Sequence, residues 1–303
     1  MITLKQLHYA LAVEKTLHFK KAAELCSISQ SALSTAIAEL EKQLSMQIFE
    51  RDNKRVLVSP FGRQFLARAR EIKVRLDDLG QLASAYKKPL GYPMSLGVIP
   101  TIGPYLLPKV LPVVRGLYPD FQLRIVEEQT DKLIERVKNG DLDTAILALP
   151  YQLDGLLAFE FWAEDFYWVT HRDDIHAKQK KITGYELRQA RLMLLKDGHC
   201  LKEHALAACN LPSSETDDTF AATSLYTLVQ MVAGRLGTTL VPHMAIDQLL
   251  SGSSELKAVH LDEPGPHRRI AFITRPDFAG VSNIELLIKL FSKQLKKYRN
   301  AVR

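Results

Sequence analysis

Residues 19–44 read FKKAAELCSISQSALSTAIAELEKQL, and this stretch decides the N-terminal fold. Phe19, Ala22, Ala23 and Cys26 recur at helical spacing, which predicts a short helix over 19–26 with one apolar face. Ser27-Ile28-Ser29 then leaves room only for a tight connection. Ser29 is placed to cap the next helix, because its hydroxyl can accept from the first free amides. In that helix Leu33, Ile37, Leu40 and Leu44 are spaced by 4, 3 and 4 and form a core-facing stripe. The opposite face carries Gln30, Ser31, Ser34, Thr35 and Ala38, which are short or amide-bearing, and none is acidic.

Working outward, residues 4–13 predict a preceding helix. On the other side, Ile48-Phe49-Glu50-Arg51 and Val56-Leu57-Val58 flank the polar turn Asp52-Asn53-Lys54-Arg55, the pattern of a hairpin or wing. Ser59-Pro60 starts a further helix, with Ser as cap and Pro in the first turn, running to about Lys88. Along it Ile72, Leu76, Leu79, Ala83 and Tyr86 repeat at 4, 3, 4 and 3. Such a heptad seam suits pairing with a second copy; packing against the chain's own core is the alternative. Residues 87–93, KKPLGYP, break the helix and read as a hinge.

Beyond the hinge the pattern alternates. Strands are predicted over 95–99, 123–127 and 144–149, with helices over 105–118 and 130–139. A second block begins near Phe166, with a strand over 192–195 and a helix over 224–233. A returning strand over 270–274 and a helix over 282–298 close the chain. Alternation of this kind means parallel sheet covered by helices, here as two α/β subdomains with a cleft between them, where ligand sites lie beyond strand carboxyl ends.

Of the 303 residues, 47% are apolar, enough for a sizeable core, yet no run of ~18 apolar residues predicts a membrane span. The N-terminus lacks a signal-peptide stretch, so the expected location is the cytoplasm. Residues 1–88 hold 15 Lys+Arg against 9 Asp+Glu, and the remainder 25 of each, so the whole net charge of +6 lies in the first third. A basic head on a neutral body suits a polyanion, and also a merely solvated basic surface. Three cysteines, Cys26, Cys200 and Cys209, are too few for a small secreted disulfide scaffold. In a reducing compartment a cysteine is usually a small buried hydrophobe, which suits Cys26 better than the other two. His8, His18, His171, His176, His204, His243, His260 and His267 show no tight ligand spacing, so neither metal nor cofactor is expected.

Phe19, Ala22-Ala23, Ser29-Gln30, Ala32-Leu33-Ser34, Ile37, Leu40-Glu41, Leu44, Phe49-Glu50-Arg51 and Gly62 give the N-terminal third a dense resemblance to the LysR-type transcriptional regulators. Ser31 departs from the family, which usually has Pro there, but Ser can also begin a helix. The body is similar to the peroxide-sensing members of that family. The segments that carry this are 99–108 (IPTIGPYLLP), Glu128-Gln129-Thr130, Asp197-Gly198-His199-Cys200-Leu201 through Cys209, Ala222-Thr223-Ser224-Leu225, and Arg268-Arg269 ahead of Arg275-Pro276. The implied fold is an all-α winged helix-turn-helix domain (1–59), a dimerising linker helix (60–88), a hinge (89–91) and an α/β regulatory body. That body would comprise two Rossmann-like, periplasmic-binding-protein-like subdomains, 92–165 with 269–303, and 166–268.

The resemblance implies a double-stranded DNA partner with a near-palindromic site. Ser29, Gln30, Ser31, Ser34 and Thr35 would enter the major groove, with Lys54 and Arg55 of the wing beside it. It implies self-association as a dimer and further to a tetramer, RNA polymerase as a contact, and no membrane. It also implies hydrogen peroxide as the signal. Cys200 would be the peroxidatic thiol, Cys209 the resolving one, and Thr101, Thr130, His199 and Arg268 the groups around the peroxide. A position ahead of the helical run 202–208, next to cations, favours a thiolate. Oxidation would give a sulfenic acid and then a disulfide, which a cellular dithiol would reduce. Two other functions are weighed against this. One is a regulator of the same fold that answers to a metabolite, its thiols incidental. The other is a thiol peroxidase, for which a basic winged head has no use.

Overall fold

The structure, a computed structural model, describes residues 1–52, 55–85, 88–188, 190–196, 198–211 and 222–301; of 51, 52, 55, 81–85 and 299–301 it describes the backbone alone. The wing residue Lys54, the seam residue Tyr86, Asp197 and the segment 212–221 lie outside the described residues. The chain folds as two compact units, Met1–Ala83 and Ser84–Arg303.

In the first unit α1 (Leu4–Thr16), α2 (Phe19–Leu25) and α3 (Gln30–Leu44) precede a hairpin of β1 (Phe49–Asp52) and β2 (Arg55–Val58) and the long α4 (Pro60–Ala85). Thr3 and Gln6 form a capping box at the start of α1. That helix runs a turn past the predicted end, because Glu14-Lys15-Thr16 contains no breaker; Leu17 stops it in the left-handed region (φ 46°). Ser27, also left-handed (φ 55°), turns the chain between α2 and α3. The Ser29 hydroxyl accepts from the Ala32 amide at 3.2 Å, the cap the sequence predicts. Leu33, Ile37 and Leu40 are fully buried against Ala22, Phe49 and Leu66. Cys26, expected as a buried filler, is only half-buried, being at the exposed end of α2.

Glu41 fixes the hairpin to α3: one carboxylate oxygen accepts from the amides of Ile48 and Phe49, at 2.9 and 3.0 Å. Ser59 fixes the start of α4, donating to the Gln47 carbonyl at 2.6 Å and accepting from the Gly62 amide at 2.8 Å. A side chain at Gly62 would run into the Ile48 carbonyl, so the close approach of α4 to the hairpin requires glycine there. On α4, Ile72, Leu76 and Leu79 are exposed. The described helix ends at Ala85, short of the predicted Lys88, which is already in the following bend.

The second unit holds two sheets. The larger has the order β4-β3-β5-β11-β6, from β3 (Met94–Val98), β4 (Leu123–Glu127), β5 (Thr144–Leu149), β6 (Leu157–Glu164) and β11 (Arg268–Thr274). α5 (Gly103–Leu117), α6 (Thr130–Lys138) and α11 (Val281–Ala301) accompany it. The smaller has the order β8-β10-β7-β9, from β7 (Phe166–His171), β8 (Lys181–Ile182), β9 (Thr239–Pro242) and β10 (Leu256–Leu261), with α7 (Gly184–Leu187), α8 (Cys200–Cys209), α9 (Leu225–Ala233) and α10 (His243–Leu250).

The expected parallel sheet is found only in part. β3 pairs in parallel with β4 and β5, but β11 is antiparallel to both β5 and β6. The chain leaves the larger sheet after β6 and re-enters it at β11, so the returning strand runs the other way. Residues 192–195 are not a strand as predicted; only isolated bridges form, Leu192 with Thr238 and Leu195 with Ala222. The segment divides its amides between two neighbours, Met193 donating to Thr238 and Lys196 to Ala222, so no continuous ladder builds. Residues 89–91, read as a hinge, are anchored: Leu90 is buried and its amide donates to Asn283 at 3.0 Å. No described helix is long and apolar enough to cross a membrane.

Candidate functional site

The helix α8 begins on one cysteine and ends on the other. Cys200 and Cys209 are both free thiols and both buried. His199 is the N-cap in extended conformation, and Asn210 ends the helix in the left-handed region (φ 50°). Just ahead, Gly198 has φ +91°, a backbone state that L side chains rarely adopt, and it lies against the Gln129 amide. Nine helical rises of ~1.5 Å put about 14 Å between the two cysteine Cα atoms. A disulfide needs roughly 4.4–6.8 Å.

Around Cys200, which α8 brings from beside the smaller sheet, the groups come from the larger sheet and its helices. Thr130 is the first residue of α6, and its hydroxyl and the backbone of Ala148 in β5 both act on the Cys200 thiol, drawing its pKa down. Thr101 lies in the turn between β3 and α5 and is buried. Arg268 opens β11 and is 1% exposed. Its Nη1 donates to the Thr101 hydroxyl at 3.4 Å and its Nη2 to the Thr101 carbonyl at 3.2 Å. Arg269 points the other way, as alternate strand residues do; it is exposed and paired with Glu160 at 2.8 Å. The structure thus brings Cys200, Thr130, Thr101 and Arg268 together, with His199 beside them in sequence, and holds Cys209 at the far end of the helix.

Burial dominates the proton equilibria. It pushes the Cys200 thiol up from its ordinary value, while the Thr130 hydroxyl and the Arg268 charge pull it down and Glu203 pushes it up again. The expected bias toward a thiolate is therefore not met in this conformation: the helix start and the cation are present, but desolvation outweighs them. Cys209 is pushed up to about 12, by burial first and then by Glu263. Burial holds His199 below the usual imidazole value, so it is neutral near pH 7.

Two residues of this region carry no motif. Glu164, the last residue of β6, bonds Arg268 from behind at 2.7 and 2.8 Å. His204 on α8 bonds the Pro150 carbonyl through Nε2 at 2.9 Å, tying α8 to the end of β5. The only hint of Glu164 in the sequence is an acidic residue inside the apolar run LLAFEFWAEDFYWVTH, residues 156–171. For His204 the hint is a histidine at helical spacing from Cys200 and Leu201, on the face that α8 buries. Beside α8 a polar cavity of about 560 Å³ is lined by Asp131, Glu135, Lys138, Tyr151, Asp154 and Glu203, among others. Tyr151 donates to Asp131 at 2.5 Å, and burial followed by that carboxylate pushes its hydroxyl up. Among the described residues no three His, Cys, Asp or Glu side chains converge as metal ligands.

In the first unit, Ser29, Gln30, Ser31 and Thr35 are exposed on one face at the start of α3, and Ser34 is half-buried. The Ser29 and Ser31 hydroxyls lie 3.1 Å apart. Arg55 begins β2, opposite Asp52.

The family profile of the LysR substrate binding domain matches residues 89–296, and that of the bacterial regulatory helix-turn-helix protein, lysR family, matches residues 4–63. The chain belongs to the LysR family of bacterial transcription regulators. Among the relatives of this LysR-type regulator, the HTH-type transcriptional regulator EstR of Acinetobacter baylyi is 37% identical over 291 residues, 96% of each chain. A probable hydrogen peroxide-inducible genes activator of Streptomyces viridosporus is 38% identical over 286 residues, 94% of this chain and 92% of that one. A full-length OxyR from Pseudomonas aeruginosa with one cysteine changed to aspartate superposes with a TM-score of 0.80 at 31% identity, covering 96% of this chain and 95% of that one. The LysR-type regulator is thus a helix-turn-helix DNA-binding protein with an OxyR-like α/β body.

Proposed function

We propose that this LysR-type regulator senses hydrogen peroxide through Cys200 and Cys209 and changes the transcription of antioxidant genes. The observation that carries the reading is the setting of Cys200: a buried sulfur on the first turn of a helix, under the influence of the Thr130 hydroxyl and the Arg268 charge, with a second thiol on the same helix. In this reading His199, kept neutral by burial, has a lone pair for the thiol proton. The sulfur attacks one peroxide oxygen, the O–O bond breaks and hydroxide departs. The Thr101 and Thr130 hydroxyls and the Arg268 guanidinium supply donors where negative charge develops. The sulfenic acid on Cys200 then condenses with the Cys209 thiol; an S–S bond forms and water leaves.

That second step is where chemistry becomes signal. Helical backbone holds the sulfurs apart, so the disulfide requires α8 to unwind. Two packings of one segment give the bistable element a switch needs. A cellular dithiol returns it to the helix. The exposed apolar residues of α4 support a dimer that presents two heads to a near-palindromic DNA site, with assembly to a tetramer and contact with RNA polymerase as further parts of the reading.

A second reading, a metabolite-responsive regulator with incidental thiols, is favoured by the EstR relative and by the polar cavity beside α8. Mass spectrometry after a brief stoichiometric dose of peroxide separates the two. Loss of two hydrogens in the wild-type chain, absent in Cys200→Ser, supports peroxide sensing. An unchanged mass points to a metabolite. Sustained peroxide turnover with a dithiol would make the chain a peroxidase instead.

A further inference from the structure

Glu164 and Arg268 are direct cross-strand partners in the β6–β11 ladder, at the point where the chain leaves one sheet and returns to it. Their side chains are 1% and 0% exposed. A guanidinium so far from water needs an opposite charge beside it, since an unpaired buried ion is strongly destabilising. Neutralisation alone would be met by any carboxylate in reach. The geometry does more. Glu164 Oε1 accepts from both Nε and Nη2 of Arg268, at 2.8 and 2.7 Å. Its Oε2 accepts from the Met244 amide on the first turn of α10, at 2.7 Å. Met244 is gripped on its other side too, its carbonyl accepting from Lys109 at 2.9 Å. The carboxylate therefore has one orientation, and it fixes the rear edge of the guanidinium.

The front edge is the under-used one. Of the five N–H groups, those on Nη1 meet only the Thr101 hydroxyl among the described residues, at 3.4 Å. That is long for a hydrogen bond, and an incoming oxygen can displace it. We propose that Glu164 is the positioning residue of the peroxide site, clamping Arg268 from behind so that its Nη1 edge faces the peroxide oxygen that leaves when the Cys200 sulfur takes the other. The inference rests on the peroxide reading above.

Two substitutions separate orientation from charge. In Glu164→Gln the amide can accept from Arg268 or from Met244 but not both, and the countercharge is gone, so the bare Arg268 charge acts on Cys200. In Glu164→Asp the charge stays, but the shorter side chain cannot span both partners. The test follows Cys200 modification in the full-length reduced chain over a range of pH, with hydrogen peroxide and, in parallel, with iodoacetamide, which needs no guanidinium. Both variants are expected to lose about ten- to a hundredfold of the peroxide rate per thiolate, with the iodoacetamide rate per thiolate unchanged. The pH midpoint of Cys200 should fall by about one unit in Glu164→Gln and stay in place in Glu164→Asp.

Loss of both rates in parallel, the mark of a merely loosened fold, overturns the proposal, as does a wild-type peroxide rate in Glu164→Asp. A wild-type chain whose Cys200 ignores peroxide removes the peroxide reading, and the inference falls with it; that result is read in the control and is distinct from a failure in the variants.

Discussion

Cys200 sits where opposing pulls on one proton meet. Burial raises the thiol, and Thr130 and Arg268 lower it. A helix start and nearby cations are visible in a sequence, whereas the depth of burial is not, which is why the expected thiolate is absent at rest. Arg268 and Arg269 show the same limit: neighbours in sequence, they lie on opposite faces of β11, and only the register with Glu164 tells the buried one from the exposed one. Cys209 offers a cleaner test of burial. Its thiol is raised to about 12 in the folded chain, against about 8.5 for a free thiol. Between those values the unfolded chain gives up a proton that the native chain keeps, so stability falls as pH rises through that window and is unaffected by this group below it. Urea midpoints of the reduced protein should decline from pH 8.5 upward, and Cys209→Ala should flatten the decline. An identical slope in the variant would show that Cys209 is not held protonated.

At the scale of elements, the proposed function makes α8 the moving part and His204 its tether. The bond to the Pro150 carbonyl, worth about 0.5–1.5 kcal/mol net, exists only while the helix stays in place. His204→Ala should shift the dithiol–disulfide equilibrium toward the disulfide by about two- to tenfold, read by alkylation after equilibration in a dithiol buffer. A shift toward the dithiol would mean that His204 does not restrain the helix. Much at this scale was legible beforehand. Ser29 and Ser59 cap helices as predicted, and the predicted strands over 123–127 and 144–149 carry their bounds unchanged. The misreading at 192–195 has a physical cause, since an apolar run reports burial but not whether one neighbouring strand accepts all its amides. β6 and β10 were not predicted because neither LAFEFWAE nor LKAVHL alternates cleanly between apolar and polar residues.

On the scale of the whole molecule, charge and chemistry divide along the chain. The excess of basic residues lies within residues 1–88, and both buried thiols lie in the second unit. The dense family motifs fall on residues whose roles are local, such as Glu41 under the hairpin and Gly62 against Ile48. Glu164 and His204 act across elements distant in sequence and so left no such mark. For the DNA-facing end, Gln30 is exposed at the start of α3, where a carboxamide can pair with adenine in two places. Gln30→Ala should cost ~1–3 kcal/mol of discrimination at one base position, measured by gel-shift titration over a base-substitution series. Equal weakening on every sequence would assign Gln30 to the backbone instead.

Peroxide sensing through this thiol pair requires helix α8 to give way. Amide hydrogen exchange over residues 200–209, compared between the reduced chain and the peroxide-oxidised chain with its disulfide verified by mass, addresses this directly. Slow exchange in the reduced protein and fast exchange in the oxidised one is the predicted result. Equal protection in both forms, with the Cys200–Cys209 bond present, would contradict it.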